Sequence, residues 1–314
     1  MKKNVLVVGG AGYVGGYLVD LLLASENLNV KVFDKLLYEE SYMKDVDFIF
    51  GDVRDYNLID NHLKWADTVI WIAALVGDGA CEIDKQQTYQ INTEAVKHLC
   101  EVFKKEIIFF STCSVYGIND NLLTEESETN PLSTYAISKL EAERFIKENN
   151  GIIFRLGTLF GIGDKFSRIR LDLVLNILTL KSVLDKKITV FGGEQYRPLL
   201  HVKDACQAII LAINNFIPGI YNLHFDNYTI KDIALIIQKE INGTQIEFID
   251  KKFQDLRNYR VDGTRAKNKL NFKPYYDLRY GINEIKILVE NNRIKDPSNI
   301  RYTNVEYLKI NDFK

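Results

Sequence analysis

The chain has 314 residues, of which 46% are hydrophobic and 26% charged, an ordinary globular composition that excludes a disordered protein. That length predicts about two domains, or one large α/β unit with an appendage. With 40 Lys and Arg against 42 Asp and Glu the formal charge is −2, so there is no global basic field to attract nucleic acid or acidic lipid.

The start, Met1-Lys2-Lys3 before Val5-Leu6-Val7-Val8, imitates a signal peptide. Glycines break the run at once and no small-residue cleavage site follows, so residues 5–8 read as a first strand. A helix over 13–24 follows, then strands at 30–33, 48–50 and 68–73, a long helical stretch near 85–104, a strand at 107–111, a helix over 135–148 and a strand at 152–155. Apolar runs without alternation belong to strands buried on both faces, hence to a parallel sheet covered by helices. This alternation predicts an α/β fold, a doubly wound Rossmann-type parallel sheet. Further along, helices are predicted over 168–184, 204–214 and 230–240, with short strands at 188–191 and 220–223. The expected division is a dinucleotide-binding domain over 1–165, joined by elements around 188–224, and a smaller mixed α/β substrate domain over 166–314. No apolar run reaches the roughly 20 residues that span a bilayer. The four cysteines (Cys81, Cys100, Cys113, Cys206) form no C-x-x-C pair, which points to reduced thiols in a cytoplasm, without disulfides or a metal.

Gly9-Gly10-Ala11-Gly12-Tyr13-Val14-Gly15 follows the first strand and opens a helix. It satisfies both G-x-G-x-x-G and G-x-x-G-x-x-G. The glycines permit a tight turn, let the backbone approach a diphosphate, and pack the helix on the strand. The helix N-terminus then offers its free N–H groups to the anion. Asp34, ending the second strand, can accept from adenosine ribose hydroxyls and would repel a 2′-phosphate, which selects NAD over NADP. The alternative role for Asp34 is a turn cap, and Lys35 beside it would soften the preference. Asp52 and Val53 suit an adenine ring, though Asp52 serves equally as a helix N-cap.

Tyr135 and Lys139 stand four apart, on one face of a helix. A tyrosine titrates near pH 10 and is a poor base at neutrality unless nearby positive charge stabilises its phenolate. So tuned, it can take a hydroxyl proton while hydride leaves the same carbon. Ser111-Thr112-Cys113-Ser114-Val115-Tyr116-Gly117 ends the fifth strand, at the sheet edge where ligands bind, and a hydroxyl there can share the substrate oxygen. Strand-end capping is the other use of these residues.

Gly9–Gly15, Asp34, Ser111–Gly117 and Tyr135–Lys139 together resemble the extended short-chain dehydrogenase/reductases. Within them the chain is similar to the NAD-dependent epimerase/dehydratase group acting on nucleotide sugars, over nearly its whole length. The resemblance implies that Thr112 is the substrate-oxygen hydroxyl, Tyr135 the acid/base, and Lys139 the ribose-binding, charge-tuning lysine. It also implies cofactor contacts from Ala73, Ala74 and Asn92. The segment from Gln195 to Asp204 resembles the group's R-D-Y-I-H-V-x-D stretch, which implies that Arg197 clamps a sugar diphosphate. Pro198 and Leu199 depart from that pattern. The segment from Asp255 to Asp262 resembles a D-x-R-x-Y stretch and puts Arg257 on the diphosphate as well. Thr158 replaces an asparagine that many members aim at the substrate. Ser167–Asp172, with Arg170, resembles a subgroup segment near the sugar nucleotide. A homodimer is implied, joined by the helices near 85–104 and 135–148.

The expected reaction begins with oxidation at C4 of the sugar. The 4,6-dehydratases carry an acidic pair after the threonine, and here those places hold Cys113 and Ser114, which argues against dehydration. Asp34 argues against an NADPH-dependent reductase. A nucleotide-sugar 4-epimerase is the preferred reading, in surface-polysaccharide (capsule or lipopolysaccharide) sugar synthesis. The alternative is a 4-dehydrogenase of the GDP-heptose type that releases the keto sugar, and a more remote one is a non-catalytic NAD sensor. Cys113 and Ser114 are candidate substrate contacts. Cys113 either moves a proton at C3 or C5 or is a small core thiol.

Overall fold

The computed structural model describes residues 2–164, 168–249 and 257–311. Seven strands form one sheet: β1 (Lys3–Val8), β2 (Leu28–Asp34), β3 (Asp47–Phe50), β4 (Thr68–Trp71), β5 (Glu106–Thr112), β6 (Ile152–Leu156) and β7 (Gly219–Leu223). Their order is β3-β2-β1-β4-β5-β6-β7, with every pairing parallel. The strand order reverses between β1 and β4, the place where such sheets open a crevice for ligands. The expected Rossmann arrangement is therefore present.

Alternation along β1 shows why these apolar runs make a two-sided sheet. Val5 and Val7 face a cluster with Leu18, Val19 and Leu22 of helix α1 (Gly15–Leu23). Leu6 and Val8 face the opposite cluster, with Val96, Leu99 and Ile146. Ile146 belongs to α2 (Thr134–Glu148), whose N-cap Ser133 accepts from the Ala136 N–H. The stretch predicted as one helix over 85–104 is helical from Lys85 to Val102, but Gln90–Glu94 widens into a π-helical turn that carries Asn92.

The second half departs from expectation in two respects. Of the elements near 188–224, α3 (Val202–Asn214) and β7 return to the large sheet, with Ala205 and Ile209 packed in the α1 cluster. Lys187–Phe191 pairs instead with Gln245–Ile249. The helix predicted over 168–184 begins only at Val174 and runs to Asp185. The stretch before it is kept out of a helix by tertiary bonds: the Asn176 amide donates to the Arg170 carbonyl at 2.8 Å, and the Leu171 N–H donates to the Tyr302 carbonyl. A separate apolar cluster centres on Phe160, Leu175, Ile188, Ile233 and Ile282. Tyr196–His201 pairs with Thr158–Phe160 and Asp226–Thr229, and Ile118–Leu123 pairs with Asn258–Val261. Among the described residues no helix is long and apolar enough to cross a membrane.

Candidate active site

A cleft of about 320 Å³ opens at the carboxyl ends of β1, β2, β4, β5 and β6, a volume within the usual range for small-molecule sites. Gly9, Gly12, Tyr13, Val14 and Gly15 line it, at the N-terminus of α1. The glycines have different reasons to be glycine. Gly9 has φ +91°, and a Cβ there would lie 2.5 Å from the Ala73 nitrogen. A Cβ on Gly15 would strike the Gly10 backbone. Gly12 is different: its nearest neighbour would be the Gly9 carbonyl oxygen at 3.5 Å, so a methyl there would project into the cleft. That is the position where a diphosphate needs the backbone bare.

Asp34 lines the same cleft. One carboxylate oxygen accepts from the Ala11 N–H at 2.9 Å and the other from the Leu36 N–H at 2.7 Å. Burial pushes its pKa up, and these N–H donors pull it back. Asp34 thus does the turn-capping work foreseen as an alternative while staying on the cleft wall. Asp52 and Val53 line it too. Asp52 is no N-cap; that post belongs to Asp55, which accepts from the Leu58 N–H. Asp52 is gripped by Lys35 at 2.8 Å and by Arg54 at 2.7 Å, and these bonds outweigh its burial and hold its pKa well below the usual carboxylate range. Lys35 is tied down by the same contact.

At the far end stand Thr112, Tyr135 and Lys139, with Ser114 and Thr158 beside them, all on the cleft wall. Burial pushes the Tyr135 phenol up, with the Cys81 and Asp78 charges acting the same way; Arg170 and a hydrogen bond with Thr112 act against it. Lys139 is almost fully buried, its ammonium 3.9 Å from the centroid of the Phe109 ring. Burial lowers its pKa to about 7, with Glu143 pulling the other way. The shift that the sequence assigns to the tyrosine therefore falls on the lysine. Below them Glu143 accepts from Ser111 and from Arg155 at 2.7 Å, a buried network that fixes the floor.

Three expected contacts are placed elsewhere. Cys113 does not line the cleft; its thiol donates to the Arg155 carbonyl at 3.2 Å, and burial pushes its pKa up, so it is a core thiol. Asn92 does not line it either. Its side chain accepts from the Leu75 N–H at 2.9 Å and donates to the Leu75 carbonyl at 3.0 Å, so it holds the wall rather than forming it. Arg197 lies behind Arg257, donating to the Tyr196 carbonyl at 2.7 Å and to the Arg257 carbonyl. These backbone acceptors hold its guanidinium off the cleft wall.

Ala73, Ala74, Arg170 and Arg257 do line the cleft. Arg257 pairs with Asp78 at 2.8 Å, and Arg170 with Asp172 at 3.0 Å. Ser167, Asp255 and Leu256 lie outside the described residues. The structure adds Arg168, Tyr38 and Tyr259. Tyr259 stands within the D-x-R-x-Y stretch and meets the Ser114 hydroxyl at 3.2 Å; Arg168 stands within the Ser167–Asp172 stretch, two before Arg170, where the sequence singles out Arg170 alone.

These features agree with comparisons to known proteins. Residues 5–223 match the model of the NAD dependent epimerase/dehydratase family. The chain is 28% identical to a putative UDP-glucose 4-epimerase of Methanocaldococcus jannaschii, over 92% of this chain and 99% of that one. It is also 28% identical to an N-acetyl-α-D-glucosaminyl-diphospho-ditrans,octacis-undecaprenol 4-epimerase of Escherichia coli O157:H7, over 71% of this chain and 67% of that one. Among solved structures, a UDP-glucuronic acid 4-epimerase from Bacillus cereus, in complex with UDP-glucuronic acid and NAD, superposes with a TM-score of 0.80 at 22% identity, covering 92% and 99% of the two chains. With the glycine turn, the acidic end of β2 and the Thr112–Tyr135–Lys139 group on one cleft, the chain belongs to the NAD dependent epimerase/dehydratase family.

Proposed function

We propose that this chain is an NAD-dependent nucleotide-sugar 4-epimerase and that Thr112, Tyr135 and Lys139 do its chemistry. The bare Gly12 and the α1 N-terminus suit the diphosphate of NAD, and Asp34 suits its adenosine ribose. When bound, NAD supplies the acceptor and then the donor of hydride at C4. With the positive charge of oxidised NAD added to that of Arg170, the Tyr135 phenol would ionise, take the C4 hydroxyl proton and later return it. Thr112 holds the same oxygen, and Lys139 meets a ribose hydroxyl. Ser114, Thr158, Arg170 and Arg257, all on the cleft wall, suit contacts to the sugar nucleotide.

The observation that carries epimerisation over dehydration is where the carboxylates stand. Asp34, Glu39 and Asp52 line the cleft at its β2–β3 end, and among the described residues no carboxylate lines it beside Thr112 and Tyr135. Asp78, whose charge reaches Tyr135, is held by Arg257 and by Ser133 at 2.6 Å. Loss of water across C5 and C6 needs an acid and a base there, and a serine hydroxyl supplies neither.

In this reading residues 1–165 hold NAD together with α3 and β7, and residues 166–314 complete the sugar-nucleotide wall with Arg170 and Arg257. Exposed Tyr89, Val102 and Ile137, on the two helical stretches near 85–104 and 135–148, support a homodimer through those helices. The likeness to a lipid-linked sugar 4-epimerase supports a role in surface-polysaccharide synthesis, and four free, buried cysteines suit a cytoplasmic setting. The test is to incubate the protein and NAD with a panel of nucleotide sugars and follow products by chromatography with mass detection. A product of unchanged mass and shifted retention is expected. A product lighter by two hydrogens would make it a 4-dehydrogenase, and loss of water a dehydratase.

A further inference from the structure

Arg168 is 5% exposed, yet it lines the cleft. Its Nη2 donates to Asn304 Oδ1 at 2.7 Å, and its guanidinium carbon lies 3.5 Å from the centroid of the Tyr38 ring. Its Nε finds no hydrogen-bond partner among the described residues, and neither does the Tyr38 hydroxyl on the same wall. An unmade bond from a buried cation is expensive, so such donors normally have an acceptor in the working state.

The charges nearby point to an anion. Arg170 lines the same cleft, with Nε and Nη2 bound to the two oxygens of Asp172 at 3.0 and 3.1 Å. Glu39 is taken up by Arg301 at 2.9 Å. Two guanidiniums therefore share one carboxylate, and a positive charge is left over. Arg170 acts electrostatically on Tyr13 in the glycine turn and on Tyr135 at the far end, so its charge reaches both halves of the cleft.

Asn304 sets this geometry. It is 1% exposed, at the start of helix α4 (Asn304–Asn311). Its backbone N–H donates to Asp172 at 2.9 Å, its side-chain amide donates to the Val76 carbonyl at 2.8 Å, and its side-chain oxygen accepts from Arg168. One residue thus ties the wall after β4 to Arg168 and, through Asp172, to Arg170. It lies beyond the 5–223 stretch that matches the family model.

We propose that Arg168 and Arg170 form an anion clamp for the phosphoryl oxygens of a diphosphate in this cleft, with Asn304 as the positioning residue that aims Arg168. The planar fork of Arg168 suits phosphate oxygens. The proposal rests on the nucleotide-sugar reading of the cleft, which offers two such diphosphates, that of the cofactor and that of the sugar nucleotide.

The experiment is calorimetric titration of the full chain with NAD and, separately, with UDP, at about 50 and about 500 mM NaCl. Arg168→Gln should weaken binding of one or both ligands by about 10- to 100-fold. It should also flatten the salt dependence. Asn304→Ala should weaken the same ligand by about 3- to 10-fold, as expected for misplacing a donor rather than removing it. Loss for NAD alone puts the cofactor diphosphate in the clamp, and loss for UDP alone puts the sugar nucleotide there. If Arg168→Gln does not fold, Arg168→Lys and Asn304→Ala carry the same comparison. Unchanged affinities for both ligands, or a loss equal at both salt concentrations, overturn the clamp. A chain that shows the clamp but converts no nucleotide sugar refutes the proposed activity and leaves the clamp standing.

Discussion

The Lys139 ammonium lies 3.9 Å from the centroid of the Phe109 ring, buried beneath the cleft one helical turn after Tyr135. Burial there lowers its pKa from 10.5 to about 7. Burial thus brings the titration of this lysine into the range of neutral pH.

This has a stability consequence with a definite sign. Between about pH 7 and 10.5 the native chain binds fewer protons at Lys139 than the unfolded chain does. Wild type should gain stability over Lys139→Met as pH rises through that window, by up to about 1.4 kcal/mol per pH unit. Below pH 7 both states are protonated and the difference levels off. Denaturant unfolding of both chains without cofactor, from pH 7 to 9, measures it. A flat difference would contradict the buried-lysine account.

Gly12 and Gly15 should separate ligand binding from folding. Gly12→Ala should fold with near wild-type stability and lose about 10-fold or more in NAD affinity, because its methyl enters the cleft. Gly15→Ala should lose about 1–3 kcal/mol of stability, because its methyl meets the Gly10 backbone. Thermal unfolding and NAD titration on both variants give the comparison.

Tyr135→Phe should lower turnover by about 10²- to 10⁴-fold while NAD affinity stays within the wild-type range. Cys113→Ala should leave turnover unchanged, since the thiol is spent on the Arg155 carbonyl. Equal losses in the two variants would return Cys113 to the chemistry.

Asn92→Ala should cost about 1–3 kcal/mol in unfolding free energy, because it strips the Leu75 N–H and carbonyl of their shared partner. Restoring an amide with Asn92→Gln should recover little, since the longer side chain does not fit the same two bonds. Denaturation midpoints of the three chains decide this.

The parts of the site legible in the sequence are those whose logic is local. The glycine turn, Asp34 and the Tyr135–Lys139 pair each need only a few neighbouring residues and a known element type. For Cys113 the sequence leaves open a substrate contact or a core thiol, and the fold decides for the thiol: it directly follows the strand-ending Thr112, and the chain turns there, leaving Thr112 and Ser114 on the wall and Cys113 behind it. Arg197 carried the right chemistry for a clamp, but two backbone carbonyls claim its guanidinium. The Arg168–Asn304 bond joins residues 136 positions apart, and nothing near Asn304 announces it. The pattern over 168–184 reads as helix from further back than it folds, because Asn176 takes the carbonyl of Arg170.

The most direct measurement follows a deuterium placed at C4 of the nucleotide sugar that the panel identifies as substrate. The account predicts a C4 epimer of unchanged mass that still carries the deuterium at C4, formed about 10²- to 10⁴-fold more slowly with Tyr135→Phe. A keto sugar that has lost the label, or a product lighter by water, would contradict it.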